Sequence, residues 1–252
     1  MKLAGKCVLV TGGRRVGARL ALMLAERGAH VALSYHTSRR QIEDVAADVS
    51  RLGVRGVAIQ ADLRQADAAE QLVVRTAREL GSVDVLVNMV SEFQETPLAG
   101  LTAGEFDRSI GTNLLAPARV ALAAARAMLR QPVVEGLQGK IVNFTDWAVE
   151  RPYKGFLPYF AAKGGLAALT RALAVELAPT ITVNAIAPAM IDPPPQLTAL
   201  EIEQIKNASP LRRVGSPGDA NNLVLYLLEG TDFVTGAIYP VDGGRYLGGV
   251  TG

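Results

Sequence analysis

Tyr159 and Lys163 bound the run Tyr159-Phe160-Ala161-Ala162-Lys163. On a helix this spacing puts both side chains on one face, about one turn apart. An ammonium so placed favours the phenolate, so the phenol is expected to release its proton more readily than an ordinary one with a pKa of about 10. That suits a proton donor in a reduction. A second constellation, Thr11-Gly12-Gly13-Arg14-Arg15-Val16-Gly17, joins an apolar run to an amphipathic one. A glycine turn from strand to helix aims backbone N–H groups at a pyrophosphate. A proton donor and a dinucleotide cradle on one chain imply hydride transfer to a small-molecule substrate.

The rest of the chain must position these groups. Short apolar runs at 6–11, 30–35, 56–60, 83–88, 140–144, 180–186 and 237–241 alternate with amphipathic stretches at 17–27, 41–52, 67–80, 103–129 and 158–177. Strand and helix in alternation predict one doubly wound domain, a seven-stranded parallel sheet with helices on both faces and ligands at the carboxyl ends of the strands. The 252 residues are 49% apolar, enough for one large core, and few are aromatic. Residues 189–210, containing Pro193-Pro194-Pro195 and a short helical piece, are expected to form a lid.

Composition also narrows the partners. The net charge of +2 comes from interspersed residues, which argues against nucleic acid. Cys7 is the single cysteine, so no disulfide framework is expected and a reducing cytoplasm fits. No apolar run is long enough to span a membrane, and the first residues lack the apolar stretch of a signal peptide.

The second strand run ends in Ser34-Tyr35-His36-Thr37-Ser38-Arg39-Arg40. An acid here would grip the ribose 2′-hydroxyl of NAD. Hydroxyls, a histidine and arginines suit a 2′-phosphate instead, so NADPH is the expected cofactor. Asp62, before Leu63, could cap the adenine edge or simply cap a turn.

The glycine turn, Asn88, Asn113, Tyr159-x-x-x-Lys163, Pro188 and Val241-Asp242-Gly243-Gly244 together resemble the short-chain dehydrogenase/reductase family over essentially the whole chain. The resemblance makes Tyr159 the acid/base and Lys163 the ligand of the nicotinamide ribose that lowers the tyrosine pKa. It makes Asn113 the holder of a relay water. Cofactor contacts are implied for Gly12, Arg14, Arg15, Val16, Gly17, Tyr35, His36, Thr37, Ser38, Asp62, Leu63, Asn88, Ser91, Lys163, Pro188, Met190 and Ile191.

Where the family usually has a catalytic serine, this chain has Asp146, in Asn143-Phe144-Thr145-Asp146-Trp147. Serine donates to a substrate carbonyl, whereas an ionised carboxylate only accepts. An aspartate beside Tyr159 also opposes the phenolate, and suits a substrate N–H and a basic ring nitrogen better than a ketone. That exchange resembles the pteridine reductase branch, as do Arg15-Val16-Gly17, Tyr35-His36-Thr37-Ser38, Ser91-Glu92-Phe93 and Thr96-Pro97-Leu98. The branch implies that Phe93 stacks a pterin against the nicotinamide, and that Arg15 and Ser91 contact pterin and phosphates. Thr37 replaces the branch's arginine, the glycine turn is one residue shorter, and Met89-Val90 follows Asn88.

Three readings follow. One is an NADPH-dependent reductase of a pterin or dihydrofolate-like ring. The second is a ketone reductase (oxoacyl thioester, sugar or quinone), with Thr145 in the serine's role. The third is a nucleotide-sensing protein without turnover. A homotetramer is expected, through the Ala-rich stretches 114–129 and 161–177 and a second surface at 223–228.

Overall fold

The strands arise where apolar and β-branched residues run unbroken, because a parallel sheet covered on both faces buries both sides of each strand. In the computed structural model, which describes residues 1–12, 14–193 and 197–248, seven strands form one parallel sheet. They are β1 (Cys7–Gly12), β2 (His30–Tyr35), β3 (Gly56–Gln60), β4 (Val85–Met89), β5 (Gly139–Phe144), β6 (Ile181–Pro188) and β7 (Ile238–Val241), in the order β3-β2-β1-β4-β5-β6-β7. The sheet order reverses direction between β1 and β4, which opens a crevice at their carboxyl ends. Register fixes that edge: Thr11 stands beside Ser34 and Asn88, and Asn88 beside Asn143.

Alternate residues of each strand feed two cores. Val8, Val10, Val31 and Leu33 pack with Leu20 and Leu24 of α1 (Val16–Ala25), Val49 of α2 (Arg39–Arg51) and Val224 of α8 (Pro217–Leu225). Leu9, Ala32 and Leu86 face Leu72 of α3 (Ala68–Leu80), Val120 of α5 (Ala116–Met128) and Leu173 of α6 (Leu157–Glu176). Two further helices, α4 (Ala103–Ile110) and α7 (Ala199–Asn207), open on capping boxes, Thr102 with Glu105 and Thr198 with Glu201.

The expected strands lie within two residues of those observed. The stretch 103–129, read as one helix, is α4 and α5 joined by a π-helical turn, Gly111–Leu115. Of the expected surface at 223–228, Val224, Leu225, Leu227 and Leu228 are buried, because a helix not foreseen in the sequence, α8, lies against α1, while Tyr226 is half exposed. Of the expected lid, α7 is the helical piece, while Pro194 and Pro195 lie outside the described residues, as does Gly13 of the glycine turn. Among the described residues no helix is long and apolar enough to cross a membrane.

Candidate active site

One cavity of about 1040 Å³ occupies the crevice at the carboxyl edge. It brings together most residues singled out in the sequence: Gly12, Arg14, Arg15, Val16, Tyr35, His36, Thr37, Ser38, Asp62, Leu63, Ser91, Phe93, Asp146, Tyr159, Lys163, Pro188, Met190 and Ile191 all line it. Three others do not reach it.

Asn88 is one. Its amide donates to Pro117 O at 3.1 Å and Asn143 Oδ1 at 3.0 Å and accepts from Thr11 Oγ1 at 3.0 Å, so it locks β1, β4, β5 and α5 together beneath the cavity. Gly17 is another: a Cβ there would sit 3.0 Å from Gly12 O and 3.2 Å from Met89 Sδ, so its task is close packing of α1 on the sheet. The third is Asn113, in the π turn. Its side chain donates to Glu92 O and Ser109 Oγ and accepts from Ser91 Oγ and Glu92 N, at 2.9–3.3 Å. Those four bonds use the whole capacity of the amide. They tie the 91–92 loop to the helix, and a relay water would have to use Asn113's backbone.

At the hydride end, Asp146 follows β5 and caps the short turn Trp147–Val149, its Oδ1 accepting from Ala148 N at 2.8 Å. Its Oδ2 accepts from Tyr159 Oη at 2.8 Å. Pro158, in the first turn of α6, holds Tyr159 at the helix start. Lys163, buried one turn on, donates to Phe144 O at 2.7 Å with its Nζ 5.8 Å from the Tyr159 ring centroid. Burial is the largest influence on all three groups. It raises the Asp146 carboxyl, pushes Tyr159 well above an ordinary phenol and brings Lys163 down to about 8. The Asp146 charge adds to the rise at Tyr159 and opposes the fall at Lys163.

This corrects the expectation that Lys163 eases the phenol's proton away. The phenol is instead pushed toward its protonated form, first by desolvation and then by the facing carboxylate. Thr145 does not take the serine's place. Its hydroxyl is turned into the sheet and donates to Ile186 O at 3.1 Å.

Phe93 is half exposed and stacks on Phe156, centroids 4.3 Å apart and planes 8° from parallel, while meeting Tyr159 edge-on at 4.9 Å. The slot expected to take a substrate ring is therefore closed by Phe156, since flat rings in an open cavity cover one another. Phe156 was not singled out, although Tyr153, Phe156, Tyr159 and Phe160 recur at the three-to-four spacing of an aromatic cluster.

The other end of the cavity is lined by groups whose chemistry suits an anion. Arg14 and Arg15 precede α1, whose first turn holds no acid and no side-chain cap. Its leading N–H groups are therefore free to bind a negative group. Gly12, with φ +69°, lets the backbone pass Val90; a Cβ there would meet Val90 Cα at 3.0 Å. Thr112 Oγ1, also on the cavity wall, is buried without a partner. Arg15 reaches across to Asp192, Nη1 donating to its carbonyl at 2.8 Å. Arg39 and Arg40 do not line the cavity, and Arg39 pairs with Glu43 at 2.8 Å. Arg64, which the sequence did not mark, does line it, held by both oxygens of Asp62 at 2.8 Å. That pairing holds the Asp62 carboxyl well below the usual range. Asp62 is thus engaged as a turn residue, with His36 3.8 Å away.

Comparison with known proteins agrees with this architecture. Residues 12–245 match a family model described as enoyl-(acyl carrier protein) reductase. The chain is 36% identical over 249 residues to the 3-oxoacyl-(acyl-carrier-protein) reductase FabG of Staphylococcus aureus, covering 96% of this chain and 98% of that one. It is 31% identical over 255 residues to the short-chain dehydrogenase/reductase FrzI of Cladobotryum sp, with 96% of each covered. Among solved structures, a short-chain dehydrogenase from Burkholderia cenocepacia in complex with NADP superposes with a TM-score of 0.88 at 32% identity, covering 97% of this chain and 99% of that one. The chain belongs to the short-chain dehydrogenase/reductase family of oxidoreductases.

Proposed function

We propose that the protein is an NADPH-dependent reductase of a pterin or dihydrofolate-like ring. The observation that carries this reading is the 2.8 Å hydrogen bond from Tyr159 Oη to Asp146 Oδ2. A carboxylate stands where ketone reduction wants a hydroxyl donor. Burial strengthens its hold on protons, so Asp146 can accept a substrate N–H while the protonated phenol delivers its proton to a ring nitrogen. Lys163 would hold the nicotinamide ribose, and Phe93 would stack a flat ring that takes the place Phe156 now fills.

The family's nicotinamide cofactor, when bound, supplies the hydride. The lining fits it: the uncapped start of α1, Gly12, Arg14 and the unpartnered Thr112 hydroxyl suit its phosphates and ribose, and His36, Thr37 and Ser38 suit a 2′-phosphate. The reading gives NADPH at least a tenfold advantage over NADH in kcat/KM, about 1.4 kcal/mol. Residues 189–210 would act as the lid, anchored where Asp192 N and Gly215 N bond across to Gly215 O and Met190 O. The assembly would be a homotetramer paired through α5 and α6, which light scattering would test.

The second reading, reduction of a 3-oxoacyl thioester or another ketone, is favoured by relatives named 3-oxoacyl-(acyl-carrier-protein) reductases. One experiment separates the two. NADPH consumption is followed with dihydrobiopterin and dihydrofolate and with acetoacetyl-CoA, using the wild type and Asp146→Ser. Pterin turnover that collapses in the variant, with ketone turnover spared or created, supports the first reading. Pterin turnover unaffected by Asp146→Ser would remove its chemical basis.

A further inference from the structure

Beside the main cavity lies a second, of about 280 Å³, lined by Ser209, Leu211, Arg213, Asp219 and Asp242 among others. The two share Ala189, Met190, Ile205 and Arg245 as walls. Arg245 is therefore the boundary side chain that a substrate would meet on leaving the ring site.

Its setting is built, not incidental. Arg245 lies over the Trp147 ring with its guanidinium carbon 4.7 Å from the centroid, and Trp147 follows Asp146 directly. The backbone behind it is clamped: Asp242 Oδ1 accepts from Gly244 N at 2.9 Å, Asp242 Oδ2 from Tyr246 N at 2.7 Å, and Arg151 Nη1 donates to Tyr246 O at 2.8 Å. Gly244 has φ +82°, and a Cβ there would strike Pro210 at 2.9 Å, so this bend needs glycine.

The guanidinium itself lacks a carboxylate. Among the described residues none lies within 4.0 Å of it, and its side chain donates no hydrogen bond. The acids nearby are already engaged, Asp219 by Arg213 at 2.8 and 2.9 Å, Asp242 by the two backbone donors, and Asp146, which feels the Arg245 charge without pairing with it, by Ala148 N and Tyr159 Oη. A planar fork lying over an indole, facing two cavities and, among the described residues, not paired with a carboxylate, is placed to receive an oxyanion. The second cavity gives the group that bears it room to lie in.

We infer that Arg245 is a specificity-determining residue that binds an anionic tail of the substrate, so that the preferred ring compound is one whose tail ends in a carboxylate. The inference rests on the pterin reading for the ring and on Arg245 for the tail. It ranks dihydrofolate, whose tail carries carboxylates, above dihydrobiopterin, whose tail is neutral.

Steady-state kinetics on the full chain with NADPH tests it. Arg245→Ala should raise KM for dihydrofolate at least tenfold more than KM for dihydrobiopterin, while any change in kcat, which reaches Asp146 through the lost charge, should be shared by both. Arg245→Lys should recover part of the loss in KM, since it restores charge without the fork. Equal changes in KM for both substrates, or none in either, would overturn the claim. A second measurement stands apart from turnover and keeps the two readings distinguishable. Trp147 is the only tryptophan, so its fluorescence reports on Arg245. Titration with p-aminobenzoylglutamate should change it saturably in the wild type and not in Arg245→Ala, whereas p-aminobenzamide should have no effect on either. Absence of a saturable change in the wild type overturns the tail site even if pterins are reduced. A saturable change without pterin turnover keeps the tail site and sinks the ring assignment.

Discussion

The two ends of the main cavity use the same kinds of side chain to opposite effect. At the end of the cavity near β2 and β3, Asp62, Arg64 and His36 are partly or largely exposed, and Asp62 and Arg64 pair across open solvent. Pairing dominates there, so Asp62 keeps its charge more firmly than a free carboxylate. At the hydride end, Asp146, Tyr159 and Lys163 are nearly or wholly enclosed, and desolvation dominates. Every group there is pushed toward its neutral form.

The largest expected effect breaks the buried end. Tyr159→Phe removes the phenol bonded to Asp146, and kcat should fall by at least about two orders of magnitude, the usual scale for a lost general acid. Cofactor affinity, read by NADPH fluorescence, should change little. Loss of affinity equal to the loss of rate would mean that the tyrosine only shapes the pocket.

A smaller effect concerns pH. Lys163 is charged below about 8 and neutral above it, so kcat/KM for NADPH should fall as pH rises through about 8. An unburied lysine would sustain the rate to about pH 10. A flat profile from pH 7 to 10 would show that burial does not govern this group.

The smallest effect belongs to the exposed end. Asp62→Asn should cost at most about 1 kcal/mol of stability, as solvent-screened pairs do. The carboxyl's pKa is depressed in the folded protein, so its contribution is present above the ordinary carboxylate value of about 3.9 and is lost as pH falls through the lower folded value. Thermal melts at pH 7 and 5 should show the same gap between wild type and variant, closing only in stronger acid. A gap that widened as pH fell would reverse the sign.

The contrast also explains what could be read in the sequence. The sheet was legible because parallel strands are unbroken apolar runs, and the glycine turn and Tyr159–Lys163 because helical and turn spacing are local rules. Asn88 was misassigned to the cofactor because its true partners, Thr11, Pro117 and Asn143, are distant in sequence. Arg64 and Arg245 stayed hidden for the same reason: a lone arginine acquires meaning only from the wall it joins. Thr145 looked able to take the serine's role, but one residue along a strand end reverses the direction of a side chain. The phenol's high pKa was legible only in part: Asp146 opposes the phenolate, but burial, the larger influence, leaves no mark in a motif, which records which groups are near and not how much water surrounds them.

The π turn at Gly111–Leu115 has a consequence for how this chain tolerates change. Each residue of a helix advances about 100° around the axis. Deleting one residue from that turn would let the backbone run on as ordinary helix with little loss of hydrogen bonding. The wide turn already absorbs one residue more than an α-helical turn holds, so the flanks would keep their phase and Val120 and Ala124 of α5 would stay on the sheet. Inserting a further residue is different, because it would advance everything downstream by about 100° and swing those side chains off the sheet. The turn thus accommodates a deletion, whereas an insertion there should damage the protein far more than one in the loop at Gly136.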